Sequence, residues 1–107
     1  MAQDYRKEFP DFPPADMPAI PEGFEDWSWH NDACPSFAKP SLGMQVYIEM
    51  LDPALRENGG WPRFCIFSIG PDGVILDDLP VFTSEDWNAV LHKIADAESE
   101  MARQVAP

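Results

Sequence analysis

The sequence predicts an α+β fold: an antiparallel sheet of three to four strands, one C-terminal helix packed on it, and an extended Pro-rich N-terminal arm. Three observations carry this. Residues 44–50 alternate apolar and polar with period two. The apolar run at 62–69 leads into Gly70-Pro71-Asp72-Gly73, a strong turn signal. From Trp87 to Met101 the apolar residues recur at helical spacing. A chain of 107 residues has room for one domain. The expected organisation is therefore an arm over 1–23 and a single α+β domain over 24–107.

The arm holds five prolines, Pro10, Pro13, Pro14, Pro18 and Pro21. Proline lacks a backbone donor and blocks helix, so an extended or polyproline-like course is expected. Tyr5, Phe9, Phe12, Met17 and Ile20 are spaced along it as anchors, either over the chain's own domain or on a partner. A short strand is expected at about 25–30, where Trp27 and Trp29 share one side. Cys34-Pro35-Ser36 and Lys39-Pro40-Ser41 then read as loop punctuation.

The clearest strand is 43–51, with Met44, Val46, Ile48 and Met50 on one face and Gln45, Tyr47 and Glu49 on the other. Asp52-Pro53 ends it, and Asn58-Gly59-Gly60 closes the connection that follows. In 62–69, Phe64 and Ile66 lie on one side and Cys65, Phe67 and Ile69 on the other. Apolar residues on both faces predict a central strand. Val74-Ile75-Leu76 reads as the returning arm of a hairpin. Pro80 limits any strand near 81–82 to a short edge piece. The helix is expected to start at Thr83 or Ser84, with Glu85 and Asp86 favouring its positive end. Its buried stripe reads Trp87, Val90, Leu91, Ile94, Ala97 and Met101.

Apolar residues make up 45% of the chain and aromatics 12%, which is not the composition of a disordered segment. Four tryptophans and seven phenylalanines supply burial units of about 150–250 Å² each. Nineteen acids against seven Lys and Arg give a net charge of −12, spread along the whole length. Direct nucleic-acid binding would meet phosphate repulsion, and anionic membranes are disfavoured for the same reason. A basic protein surface is favoured, because opposite fields accelerate association. The plainer reading is that the acidity keeps a small protein soluble.

The first ten residues lack the apolar core of an export signal, and no apolar run approaches the length of a membrane span. The expected location is cytoplasmic, with Cys34 and Cys65 reduced. His30, Asp32 and Cys34 would project on one side of an extended chain, a ligand-like arrangement that Cys65 and His92 could complete. Yet the two cysteines lack the paired spacing of a strong zinc motif. A Cys–His nucleophile pair would need a base brought within hydrogen-bond reach by the fold. No phosphate-binding loop, calcium loop or nucleophile elbow is present, so no catalytic residue and no cofactor is assigned. Asp77-Asp78 has no local structural reason and is a candidate surface contact. Trp61, between Gly60 and Pro62 in a loop, is a candidate anchor.

The block Trp27-Ser-Trp-His-Asn-Asp-Ala-Cys-Pro-Ser-Phe37, with the later Glu85-Asp86-Trp87, resembles short proteins of bacterial phages and other mobile elements. In size, acidity and lack of an active site the chain is also similar to anti-CRISPR and other nucleic-acid-mimic inhibitors. That likeness implies carboxylates occupying a channel built for DNA or RNA phosphates, and it transfers no functional residue to any position here.

The expected function is that of a non-enzymatic inhibitor or adaptor covering a basic, nucleic-acid-binding surface, such as that of a nucleic-acid-processing enzyme or ribonucleoprotein. Asp77, Asp78, Glu49 and Glu57 would supply charge and Trp61 an aromatic anchor. The alternatives are a small metal-binding domain or metal-dependent enzyme using His30, Asp32 and Cys34, and a structural protein of a phage or larger assembly strapped by the arm.

Overall fold

The computed structural model describes residues 4–56 and 60–105. Its centre is a five-stranded antiparallel sheet whose strands lie in sequence order: β1 (Glu25–Asp26), β2 (Ser36–Lys39), β3 (Met44–Ile48), β4 (Phe64–Ser68) and β5 (Phe82–Ser84). A short helix α1 (Tyr5–Glu8) precedes the sheet, and the long helix α2 (Trp87–Val105) follows it. The class is the α+β one expected, with one strand more than the sequence predicts.

Register divides the sheet into two chemically different faces. Val46 lies between Phe37 and Ile66, while Tyr47 lies between Ser36 and Cys65. Side chains alternate along each strand, so Phe37, Val46, Ile66 and Phe82 share the inner face. There Phe37, Met44, Val46, Ile48, Phe64 and Ile66 meet Val90 and Ile94 of α2 in one core. Gln45, Tyr47, Cys65 and Phe67 occupy the outer face. The pattern read for β3 thus holds, and β4 is central, as its two-sided apolar character predicts.

The N-terminal segment belongs to the same core. Phe12 is 2% exposed within the core, and Tyr5, Phe9, Met17 and Ile20 pack against that core. Tyr5 meets Phe12 and Phe37 edge-on, at 6.0 and 6.1 Å between ring centroids. Five prolines do not keep the segment extended. Asp4 caps α1 by accepting from the Arg6 N–H, and a 3₁₀ turn forms at Pro14–Asp16. The anchors read from the sequence therefore dock on the chain's own sheet.

Three boundaries differ from expectation. The strand at 25–30 shortens to Glu25–Asp26 because Asp26 turns its carboxylate to the Ser28 and Tyr5 N–H groups, and the chain curls away. The stretch 36–39, expected as loop, is strand β2. Pro35 and Pro40 bracket it at positions where no ladder donor is lost, and the Pro35 carbonyl accepts from the Ile48 N–H. The expected returning strand at 74–76 makes one bridge, Ile69 to Ile75, and then leaves the sheet. The place beside β4 goes to β5, which is short and at the edge, as Pro80 predicts.

Helix α2 begins at Trp87, later than Thr83 or Ser84, both of which lie in β5. The Asp86 carboxylate accepts from the Asn88 N–H, and Ser84 Oγ accepts from the Asp86 N–H. Glu85 does not serve the helix start. Its carboxylate forms a two-pronged pair with Arg56, at 2.9 and 3.0 Å, and accepts from the Arg63 N–H. Arg56 also donates to the Met50, Leu51 and Trp61 carbonyls, so this buried guanidinium ties the β3–β4 connection to the start of α2. Along α2, Val90 and Ile94 are buried, Trp87, Leu91 and Ala97 are half-buried, and Met101 falls outside the core.

Candidate protein-binding surface

Helix α2 and the N-terminal segment cover the inner face of the sheet. On the outer face Gln45 is sealed: its side-chain amide donates to Ser36 Oγ and Tyr47 Oη. Ser28 Oγ accepts from the Ser36 N–H, which fastens the start of the 27–34 loop there. Beyond Tyr47 the face opens into a cavity of about 180 Å³ between that loop, the loop carrying Trp61, and the turn at 70–75. Tyr47, Phe67, Cys34, Cys65 and Ile75 form most of its wall, with Glu49 and Arg63 at one side. The Tyr47 and Phe67 rings meet edge-on at 5.4 Å.

Beside the cavity runs an exposed apolar ridge. Val74, Leu76, Leu79 and Val81 are between 54% and 71% exposed, a dense run of unburied aliphatic groups. Local polar chemistry explains why the chain bulges here. The Asp72 carboxylate accepts from the Val74 N–H, and that of Asp77 accepts from the Leu79 N–H. Each holds a tight turn that keeps the segment off the sheet. Asp72, Asp77 and Asp78 are all exposed and rim the aliphatic groups with negative charge. An apolar patch with a polar rim is the usual anatomy of a protein-binding surface.

The residues chosen from the sequence separate into three groups. Asp77, Asp78 and Trp61 lie on or beside this surface, and Trp61 is 40% exposed at the cavity edge. Glu49 is a correction: it is 7% exposed in the cavity wall, because it continues the outer-face alternation of β3 and is not on an exterior charged face. Glu57 lies outside the described residues. The ridge itself was missed as a surface, because Val74-Ile75-Leu76 carries the signal of a hairpin strand. The signal that could have found it is Asp77-Asp78-Leu79-Pro80, which prevents that strand from continuing.

His30, Asp32 and Cys34 do not come together. The His30 ring and its N–H are both engaged by Glu8, at 2.9 and 3.0 Å. Cys34 is buried in the cavity wall, and His92 is exposed on α2. Among the described residues, no group of three or more His, Cys, Asp or Glu is placed to hold a metal ion. Burial pushes the Cys34 thiol well above its ordinary value, with Glu49, Cys65 and Asp32 adding to the effect. Cys65 is pushed up to about 11, chiefly by burial. Both thiols stay protonated at neutral pH and are weak nucleophiles. Both are free thiols, not joined in a disulfide.

No family model, curated protein or solved structure matches this chain. Among the described residues, no helix is long and apolar enough to cross a membrane.

Proposed function

We propose that this chain is a non-enzymatic binding protein, an inhibitor or adaptor that covers the basic, nucleic-acid-binding surface of another protein. The observation that carries the reading is the apolar ridge at 74–81 with its rim of Asp72, Asp77 and Asp78. The aliphatic groups supply area to bury, and the carboxylates select a positively charged partner. The chain's own cations compete little for those carboxylates. Arg6, Lys39, Arg56 and Arg103 are each ion-paired elsewhere in the molecule, with Asp4, Glu98, Glu85 and Glu100. A net charge of −12 accelerates encounter with a basic protein and opposes contact with nucleic acid itself. The action is of the nucleic-acid-mimic type, with carboxylates standing where phosphates would lie. Two protonated, buried thiols suit a reducing cytoplasm.

The test is capture of purified nucleic-acid-processing enzymes and ribonucleoproteins on the immobilised full chain. Binding should weaken severalfold or more between about 0.05 M and about 0.5 M salt, as screening shortens the field. Duplex DNA should compete. Replacing both Asp77 and Asp78 by Asn should slow association and weaken capture. Capture that ignores salt, DNA and the double substitution alike would count decisively against the proposal.

A further inference from the structure

We infer that the outer-face cavity receives an arginine side chain from the basic partner, which deepens the binding role just proposed and depends on it. Shape, wall chemistry and charge converge on this occupant. The volume, about 180 Å³, is enough for one side chain; an engineered protein cavity of about 150 Å³ holds benzene. The wall presents the rings of Tyr47, Phe67 and the partly exposed Trp61. A guanidinium stacks on such rings and is weakly hydrated, so it enters an aromatic pocket more readily than an ammonium does.

Glu49 and Arg63 both line the cavity, and the two differ in where their charges are engaged. Glu49 is in the wall, and the fields of Glu49 and Asp32 add to burial in holding nearby thiol and phenol groups protonated; Tyr47 is pushed up to about 12, with Asp32 acting after burial. The neighbouring cations are directed elsewhere. The Arg63 guanidinium lies 4.8 Å over the Phe64 ring, on the inner-face side, and donates to the Asp16 carbonyl. Arg56 is held by Glu85 and three carbonyls. Glu49 already has an interaction within the chain, but a carboxylate offers about four acceptor sites, so it can take a guanidinium N–H as well. The ridge adjoins the cavity through Ile75, so a partner lying on the one places a side chain over the other.

The experiment titrates isotope-labelled full-length protein with N-acetyl-arginine amide, N-acetyl-lysine amide and N-acetyl-leucine amide at low salt, followed by NMR. The arginine compound should shift the Trp61 indole and the amides of Cys34, Tyr47 and Cys65 saturably. It should bind about fivefold tighter than the lysine compound. The leucine compound should give no saturable shift. Trp61→Ala removes a partly exposed ring and should abolish saturation while the remaining spectrum keeps its folded dispersion. Glu49→Gln should weaken arginine binding, and the Asp77→Asn, Asp78→Asn pair should change it by less than about twofold, as for separate sites. No saturable shift at the cavity, or a leucine or lysine compound binding as tightly as arginine, would overturn the inference. That failure, with salt-sensitive capture intact, would leave the binding role standing. Salt-insensitive capture beside normal arginine binding would instead remove the role.

Discussion

At the scale of single residues, Arg56 and Glu85 show why an acidic chain still buries a cation. The Arg56 side chain is 3% exposed and the Glu85 side chain 60%, so the arginine depends on the pair far more than the glutamate does. The Arg56 guanidinium, followed by the Arg63 N–H, holds the Glu85 carboxyl below the ordinary glutamate value of 4.5. A lowered folded-state value means that Glu85 stabilises the fold above its unfolded value. That contribution disappears as pH falls through the folded one. Asp32, raised by burial, acts with the opposite sign. Glu85→Gln should therefore cost about 1–2 kcal/mol at pH 7, discounted from the figure for a fully buried pair because the carboxylate is largely exposed. The difference from the parent should shrink below about pH 4.5. Urea midpoints measured from pH 7 to pH 3 check both the size and the convergence.

At the scale of elements, the 70–75 turn fixes one wall of the cavity. Gly73 closes it by donating its N–H to the Gly70 carbonyl at 2.9 Å. It adopts φ +82°, and a Cβ there would lie 3.0 Å from Trp27 Cη2. Gly73→Ala meets both penalties and should lower stability by about 1–3 kcal/mol. Thermal unfolding measures this, and arginine-amide binding should weaken with it as Ile75 shifts. The Gly-Pro-Asp-Gly signal was legible because turn chemistry is local. So were β3, β4 and α2, whose periodicities match the faces they bury. Strand β2 was not legible, since its two flanking prolines carry the same local signal as a loop, and only pairing with β1 and β3 makes it a strand. The start of α2 was misplaced for a similar reason. Thr83 and Ser84 are good caps, but β4 recruits them into the sheet. Of the candidate surface, Trp61, Asp77 and Asp78 could be picked out, although Asp77 proves to have a local role after all, accepting from the Leu79 N–H. The cavity could not, because it needs three loops to meet over one sheet face.

At the scale of the whole molecule, stability rests on a core closed from both chain ends. Phe12 comes from near the start and Val90 and Ile94 from near the end, and all pack on the inner face of the sheet. Phe12→Ala should cost about 3–5 kcal/mol, the range for emptying a large aromatic from a tight core. For a small domain that is a large share of the total. Chemical denaturation checks it; a loss under about 1 kcal/mol would mean that the segment adds little to the core. Val74, Leu76, Leu79 and Val81 of the ridge take no place in that core, so binding there need not disturb it.

The strands follow one another in order, yet the hydrophobic side of that meander is sealed by its first and last pieces. During synthesis the emerging sheet can pair strand by strand as it leaves the ribosome. Its greasy underside nevertheless stays partly bare until the final helix arrives. A nascent chain paused before Ile94 is therefore a natural client for chaperones.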